Sequence, residues 1–465
     1  MPGNEESNYD VVILGSGEGS KYLAWSLGRQ GQRIAVIERK YIGGSCPNIA
    51  CLPSKNIIHS AKVASYFRRS QEFGIGKTGF VIDMAAVRDR KRKMVKDLVD
   101  IHLANFENSG TELILGSGKF VGPRTIKVAL NGGGTRRVTG TNVVIGTGTR
   151  ATLDPIPGLA ESKPLTHIEA LELDVVPMHL IVMGGGYIGL ELAQAMGRFG
   201  SKVTIIERNA RLVHNEDEDI SEGLRSLFEQ EGAEVICNAN AEGVSGESGE
   251  TVELTIRQGG AKKTVKGTHL LVATGRTPHT EGLGLADAGV KLTASGYIQV
   301  NARLETTAPG IWAIGESAGS PQFTHIAFDD FRVIRDNLAG GNRVTTGRQV
   351  PFCLFTDPEF ARIGLNETEA KAQGIPYRVF KIPMAAVLRA RTLAETRGFL
   401  KAVVAADSDQ ILGFAAFGVG AGETMASVQI AMLAGLPYTA LRDAILTHPT
   451  LSEGLIVLFS STPSK

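Results

Sequence analysis

Apolar runs that end at once in glycine punctuate this chain, and two of them open the same succession of segments. The first, Val11 to Leu14, turns through Gly15, Gly17 and Gly19, continues as a stretch of helical period to about Gln30, and closes with Ile34 to Glu38. Short continuous apolar runs bounded by turn residues read as buried strands, and small residues at helical spacing read as a helix face packed upon them. The second copy runs Leu180 to Met183, turns through Gly184, Gly185 and Gly186, continues as a helix past Ala195, and closes with Val203 to Glu207. First glycine and closing glutamate are 23 residues apart in both copies. Equal spacing predicts equal architecture.

A strand, a glycine turn, a helix and a second strand ending in an acid suit a dinucleotide. Glycines allow a tight turn, and the helix amino end offers free N–H groups and a favourable dipole to a pyrophosphate. Gly15, Gly17 and Ser20 fill the three fingerprint positions in the first copy, and Gly184, Gly186 and Gly189 in the second. Glu38 and Glu207 are placed to accept hydrogen bonds from a ribose diol. Ser20, standing where a third glycine is usual, is expected to loosen helix packing locally. A glycine turn that merely packs helix on strand is the alternative for one copy alone, and the repeat weighs against it.

Between the copies, Asp83 to Asn108 reads as a long helix with apolar Met94, Val95, Leu98, Ile101 and Leu103, and its basic run Arg88 to Asp97 reads as a solvated face. Strands at Asn142 to Ile145 and His269 to Val272 each lead into a Thr-Gly turn, Thr147-Gly148 and Thr274-Gly275. Beyond about Val350 the pattern changes to strands (Gly398 to Ala405, Ile411 to Val419) and helices (Glu423 to Ala434, Ala440 to Leu446) without a glycine fingerprint. The expected fold is α/β, with two Rossmann-like dinucleotide-binding domains and a C-terminal α+β domain. The expected boundaries are 1–150 with 270–349 for the first domain, 151–269 for the second and 350–465 for the third.

Length and composition agree with this plan. A chain of 465 residues suits about three domains of ~150 residues. With 43% apolar and 21% charged residues it excludes disorder and coiled coil, and 49 basic against 48 acidic side chains leave no field to gather nucleic acid or anionic lipid. Four cysteines, Cys46, Cys51, Cys237 and Cys353, are too few for a secreted disulfide framework. The start, MPGNEESNYD, is polar and acidic, and no window approaches the ~18 apolar residues of a membrane span. The expected setting is the cytoplasm, without nucleic-acid or membrane partners.

Directly after the first fold comes Gly43-Gly44-Ser45-Cys46-Pro47-Asn48-Ile49-Ala50-Cys51-Leu52-Pro53-Ser54-Lys55. On a regular helix two cysteines so spaced lie ~7.5 Å apart along the axis, outside the ~4.4 to 6.8 Å Cα range of a disulfide. Two readings stand open: a pair of unbonded buried thiols, or a constrained disulfide in a distorted segment. Pro47 and Pro53 are expected to supply the distortion. Adjacency to a dinucleotide site favours the second reading, since a constrained, accessible disulfide is the labile, catalytic kind.

The motif G-G-x-C-x-N-x-x-C-x-P-S-K after an amino-terminal dinucleotide fold resembles the pyridine nucleotide-disulfide oxidoreductases, among them dihydrolipoamide dehydrogenase, mercuric reductase and glutathione reductase. The second glycine fingerprint extends the resemblance, as do Ala273-Thr274-Gly275-Arg276-Thr277-Pro278, the stretch Ala308 to Glu316, and His448-Pro449-Thr450-Leu451-Ser452-Glu453. It implies FAD on the first fold, a nicotinamide nucleotide on the second, and a redox-active Cys46–Cys51 disulfide on the flavin face away from the nicotinamide. Cys51 would lie nearer the flavin, and Cys46 would exchange with substrate. Lys55 and Glu191 match positions that pair near the flavin, and Tyr187 matches a lid over the nicotinamide pocket. Gly44, Ser45, Lys55, Gly118, Thr147, Gly148 and Glu316 would contact the flavin nucleotide, while Arg208, Gly275 and Arg276 join the cofactor set. No metal site is expected. His448 matches a general acid-base supplied across a homodimer, with Glu453 orienting it. The residues alone also allow Thr450-Leu451-Ser452-Glu453 to be a capping box.

Departures from the family pattern bear on detail. Glu316 stands where aspartate is usual, and Pro47 and Ala50 replace an aliphatic residue and glycine. The carboxy-terminal SSTPSK lacks a cysteine pair and no metal-binding segment precedes Tyr9, both of which tell against a dedicated mercury role. Glu207 favours NADH because a carboxylate repels a 2′-phosphate, with NADPH left possible by Arg208 and Arg211. His448 favours a thiol or disulfide substrate, as for dihydrolipoamide dehydrogenase, over a bare metal ion. The alternatives are a mercuric reductase-like enzyme, a flavoprotein scaffold, and an NAD(P)H oxidoreductase that bypasses the disulfide.

Overall fold

A computed structural model describes residues 6–76 and 79–464. The chain divides into two compact units, one of Met1–Asn56, Ala85–Thr152 and Gly275–Arg348, the other of Ile57–Met84, Leu153–Thr274 and Gln349–Lys465.

In the first unit, strand β1 (Glu6–Leu14) feeds helix α1 (Glu18–Gly28) and then β2 (Ile34–Glu38), as the apolar pattern requires. The short helix α2 (Ser45–Asn48), helix α3 (Cys51–Arg68) and helix α4 (Met84–Asn108) follow, before β3 (Glu112–Gly122), β4 (Thr125–Leu130) and β5 (Thr135–Ile145). β1 lies between β2 and β5 in parallel, β3 extends the ladder beyond β2, and the strand Ile311–Ala313 extends it beyond β5. β4 joins the far halves of β3 and β5 in antiparallel register. Every residue of β2 is buried, as in a sheet covered on both faces. Val12, Ile13, Val36 and Val143 are at most 1% exposed, and burying each such side chain stabilises by roughly 1.5–3 kcal/mol.

The second unit holds a parallel sheet in the order His269–Val272, His179–Met183, Lys202–Ile206, Glu234–Ile236, with the helix Tyr187–Phe199 between its middle strands in sequence. Beside it in the chain are the antiparallel strands Ala239–Gly246, Val252–Gln258 and Ala261–Gly267. A five-stranded antiparallel sheet is built from Phe352–Leu354, Glu359–Gly364, Ile411–Gly418, Phe399–Ala405 and Tyr377–Pro383, in that order. Separate apolar cores serve the nucleotide-type sheet (Leu159, Ile181, Val252, Leu270) and the carboxy-terminal sheet (Phe380, Leu400, Phe414, Leu455). The α/β architecture is thus the one expected.

Two sequence expectations need adjustment. The helix read as Ala440 to Leu446 runs instead over Tyr438–Arg442, entered from Pro437; Ile445 is fully exposed, so no burial rewards another turn. The basic face of α4 is solvated as read, with Lys93 and Lys96 paired to Asp97 and Asp100, except that Lys91 is buried. No helix among the described residues is long and apolar enough to cross a membrane.

Candidate active site

Both glycine turns are shaped by backbone contact. A Cβ on Gly15 would stand 2.4 Å from the carbonyl oxygen of Gly146, and one on Gly184 would stand 2.4 Å from that of Ala273. Gly17 and Gly186 cap the two following helices without any side-chain hydrogen bond. A Cβ on Gly17 would meet nothing nearer than 3.9 Å, and one on Gly186 nothing within 4 Å. Each helix therefore presents uncapped N–H groups to open space, the environment a pyrophosphate needs. The residues present fit a dinucleotide at each turn.

The closing glutamates hold these turns from behind. Glu38 accepts from the Ser16 amide at 2.9 Å and hydroxyl at 2.7 Å, and its other oxygen accepts from the amides of Lys40 and Tyr41. Glu207 accepts from the Gly185 amide at 2.7 Å and from Asn209. In both copies the bonded amide lies one residue past the first glycine.

Ser20 does not loosen the first copy. Gly189 is required in the second because a Cβ there would fall 2.1 Å from the Gly184 carbonyl oxygen. In the first copy the room is taken at another place: a Cβ on Gly146 would fall 2.1 Å from Ser20 Oγ, so the absent side chain of Gly146 accommodates Ser20. Gly19 supplies the close approach, since a Cβ there would lie 2.4 Å from the carbonyl oxygen of Ala327 on the helix Thr324–Leu338.

The cysteine segment is broken between its two thiols. α2 ends at Ile49, whose φ of −140° leaves the helix, and α3 begins at Cys51. Neither proline makes the break. Each occupies the third position of its own helix, within the first turn where an amide has no intrahelical partner to lose. Asn48 helps to fix the turn instead, its Nδ2 donating to the carbonyls of Ile42 and Gly44 at 2.9 and 2.8 Å. Gly44, at φ +82°, precedes α2 and lies flat on the first glycine turn: a Cβ would stand 2.4 Å from Gly17 Cα.

Cys46 and Cys51 are both half-buried, and a hydrogen bond between their side chains bears on Cys46. That bond, followed by burial and the charge of its neighbour, pushes the Cys46 thiol up. Cys51 Sγ also lies 3.1 Å from Thr324 Oγ1, at the start of the helix Thr324–Leu338. No sequence pattern singled out Thr324. Nearby in the chain, Lys55 Nζ reaches Ser54 Oγ at 3.4 Å, and Ser45 opens α2 with its carbonyl accepting from the Ile49 amide at 2.9 Å.

Glu316 is gripped on one side by Arg276, whose Nε is 3.2 Å away, and it also accepts from the Thr149 hydroxyl. Thr147 Oγ1 donates to the His279 carbonyl at 2.7 Å, and the Gly148 carbonyl accepts from the His279 amide at 2.9 Å. Gly275 hands its carbonyl to the Thr152 amide at 3.0 Å. Gly118 packs within the sheet, where a Cβ would crowd Leu14 and Ile126.

In the second unit Tyr187 opens its helix and stacks on Phe352 with ring centres 5.6 Å apart. Burial, then the Glu216 carboxylate, pushes its hydroxyl up. Glu191, one turn later and buried, accepts from the Phe355 amide at 2.9 Å. Arg208 is exposed beside Glu207. His448 Nδ1 contacts both carboxylate oxygens of Glu453, at 3.0 and 3.1 Å, while the Glu453 amide donates to Thr450 Oγ1 at 3.3 Å. The carboxylate is therefore spent on the histidine, and only the threonine half of a capping box forms. Among the described residues no cluster of three His, Cys, Asp or Glu side chains is placed to hold a metal ion.

Two dinucleotide turns and a thiol pair beside one of them define a flavoprotein disulfide reductase. Residues 9–330 match the family described as pyridine nucleotide-disulphide oxidoreductase and residues 350–457 its dimerisation domain, so the chain belongs to the pyridine nucleotide-disulfide oxidoreductases. It is 35% identical over 460 residues to the probable pyridine nucleotide-disulfide oxidoreductase RclA of Escherichia coli (strain K12), covering 98% of this chain and 99% of that one. With the dihydrolipoyl dehydrogenase of Thermus scotoductus it shares 36% over 451 residues, 96% of each chain. Among solved structures, the Cu(II) complex of the HOCl-induced flavoprotein disulfide reductase RclA from Escherichia coli superposes with a TM-score of 0.89 at 34% identity, covering 98% of this chain and 99% of that one. The activity is FAD-dependent, NAD(P)H-linked disulfide oxidoreduction.

Proposed function

We propose that reducing equivalents pass from NADH to the Cys46–Cys51 pair and leave as thiols on a small disulfide substrate. The placing of the two cysteines in the first turns of successive helices, either side of the break at Ile49, carries this reading. FAD, when bound at the first glycine turn, supplies hydride acceptance and two-electron delivery to the disulfide. Gly17 and Gly186 give the two nucleotides their pyrophosphate seats, while Glu38 and Glu207 hold the turns and receive the riboses. Lys55, Glu191 and Tyr187 are proposed to line the flavin and nicotinamide. Residues 1–150 with 270–349 would hold FAD, 151–269 the nicotinamide nucleotide, and 350–465 would pair two copies.

In the oxidative half-reaction the Cys46 thiolate attacks one sulfur of the substrate disulfide. A mixed disulfide forms, the substrate S–S bond breaks, and His448 of the opposite copy protonates the departing thiolate. Cys51 then attacks Cys46, which re-forms the enzyme disulfide and releases the second thiol. Overall one NADH and one proton reduce one disulfide to two thiols. With dihydrolipoamide the same steps run in reverse. The proposed setting is the cytoplasm, consistent with only four cysteines in 465 residues.

Anaerobic NADH titration followed by thiol counting tests this reading. Two new alkylatable thiols, at Cys46 and Cys51, are expected, with turnover on lipoamide or glutathione disulfide. A Cys51→Ser variant that keeps full activity, or an enzyme that oxidises NADH only with Hg(II) or Cu(II), would overturn it.

A further inference from the structure

Lys21 is only 3% exposed, on the first turns of the flavin-side glycine helix. Burying an ammonium is costly unless its donors are satisfied, and all three are. Nζ lies 2.7 Å from Glu18 Oε2, 3.2 Å from His102 Nε2 and 3.5 Å from the Gly43 carbonyl oxygen. These partners come from three places: the first turn of α1, the helix α4, and the Gly43-Gly44 turn that launches the cysteine segment. Burial, then the Lys21 charge, holds His102 down at about 4, so its Nε2 is a neutral acceptor at physiological pH.

The same turn is trapped from both sides. A Cβ on Gly43 would fall 2.4 Å from His102 Nδ1, and one on Gly44 would fall 2.4 Å from Gly17 Cα. Backbone contact between Gly17 and Gly44 brings the first turn of α1, with Glu18, next to the first turn of α2, with Cys46. The Glu18 carboxylate acts on the Cys46 thiol to disfavour its ionised form, and Tyr22 feels both groups. Glu18 also stands in the first turn of α1, at the helix end where a pyrophosphate would sit. Packing alone would be served by an apolar side chain; the structure spends a charge.

We propose that Lys21 is a positioning residue for the exchanging thiol: it ties the Gly43-Gly44 turn to α1 and α4 and neutralises Glu18 beside Cys46. The inference rests on the reading of Cys46 as the substrate-exchanging cysteine.

The test uses FAD-loaded enzyme reduced with NADH, alkylated with iodoacetamide across a pH series, with Cys46 followed by mass spectrometry. Glu18→Gln is expected to move the alkylation midpoint down by about half a pH unit or more, and Lys21→Met to move it up. Lys21→Met should also cut kcat/KM for disulfide reduction about tenfold, because the thiol is displaced as well as discouraged from ionising. The double variant, free of both charges, should return the midpoint towards that of the unaltered enzyme. Should Lys21→Met fail to retain FAD, Glu18→Gln and His102→Asn carry the measurement. Midpoints unchanged in the single variants, or a double variant whose losses simply add, would overturn the proposal. Failure of Cys46 to become alkylatable in the unaltered enzyme would take down the reading beneath it as well.

Discussion

Both carboxylate oxygens of Glu453 lie within 3.1 Å of Nδ1 of His448, and that one contact orients an imidazole whose side chain is 61% exposed. With Nδ1 occupied, Nε2 is the nitrogen left for the proton exchange proposed for His448. His448→Gln should lower disulfide turnover by roughly 10²–10⁴. Glu453→Gln should cost about tenfold, since the ring survives with its orientation loosened. NADH reduction of the enzyme should be unchanged in both, which separates proton transfer to substrate from flavin reduction. Stopped-flow measurement of the two half-reactions decides it, and equal losses in both halves would remove His448 from the proposed role.

Gly44 meets Gly17 backbone to backbone at a φ of +82°, so a methyl group there has neither space nor an easy conformation. Gly44→Ala is predicted to destabilise by about 1–3 kcal/mol and to loosen FAD, because the displaced atom belongs to the turn proposed to seat its pyrophosphate. Gly122→Ala, where a Cβ meets nothing within 4 Å, is the control and should change stability by about 0.5 kcal/mol or less. Denaturant midpoints and flavin content after gel filtration measure both.

Stability should depend on pH with a sign that these environments set. His102 and His279 are held at about 4, chiefly by burial, and burial lowers His179 and His269 too. Unfolded histidines bind protons from about 6.5 downward while these folded ones resist, so their contribution is intact above 6.5 and is lost as pH falls towards 4. Glu216 opposes them: burial raises its carboxyl to about 7, so its contribution is present at low pH and lost as pH rises through 7. Stability should rise from pH 4 to 6.5, more gently in His102→Gln and more steeply in Glu216→Gln. Chemical denaturation across that range checks all three slopes.

The parts of this site that were legible from sequence are those fixed by local backbone chemistry. Gly15 and Glu38, or Gly184 and Glu207, announce a turn and its anchor because few residues tolerate those positions. The break between Cys46 and Cys51 could be inferred from their spacing, yet its place at Ile49 could not, because Pro47 and Pro53 look like breakers and sit harmlessly in first turns. Long-range partners were illegible. Thr324 reaches Cys51 across 273 positions, and the room for Ser20 comes from Gly146 in another strand-end turn. Lys21 left one faint signal: a lysine on a helix face otherwise made of small and apolar residues.

Glu207 is predicted to set which nucleotide binds better. Its carboxylate is buried, fixed by the Gly185 amide at 2.7 Å and by Asn209, so it cannot swing away to admit a second anion. A ribose 2′-hydroxyl can donate to it, whereas a 2′-phosphate would meet a held negative charge. Exposed Arg208 and the neighbouring Arg211 pull the other way, but neither displaces the carboxylate. NADH should therefore exceed NADPH in kcat/KM by about tenfold or more, equivalent to ~1.4 kcal/mol. Glu207→Ala should erode that ratio and raise KM for both nucleotides, because the turn loses its anchor together with its charge. Steady-state kinetics on the two nucleotides test both claims, and a preference for NADPH in the unaltered enzyme would defeat the first.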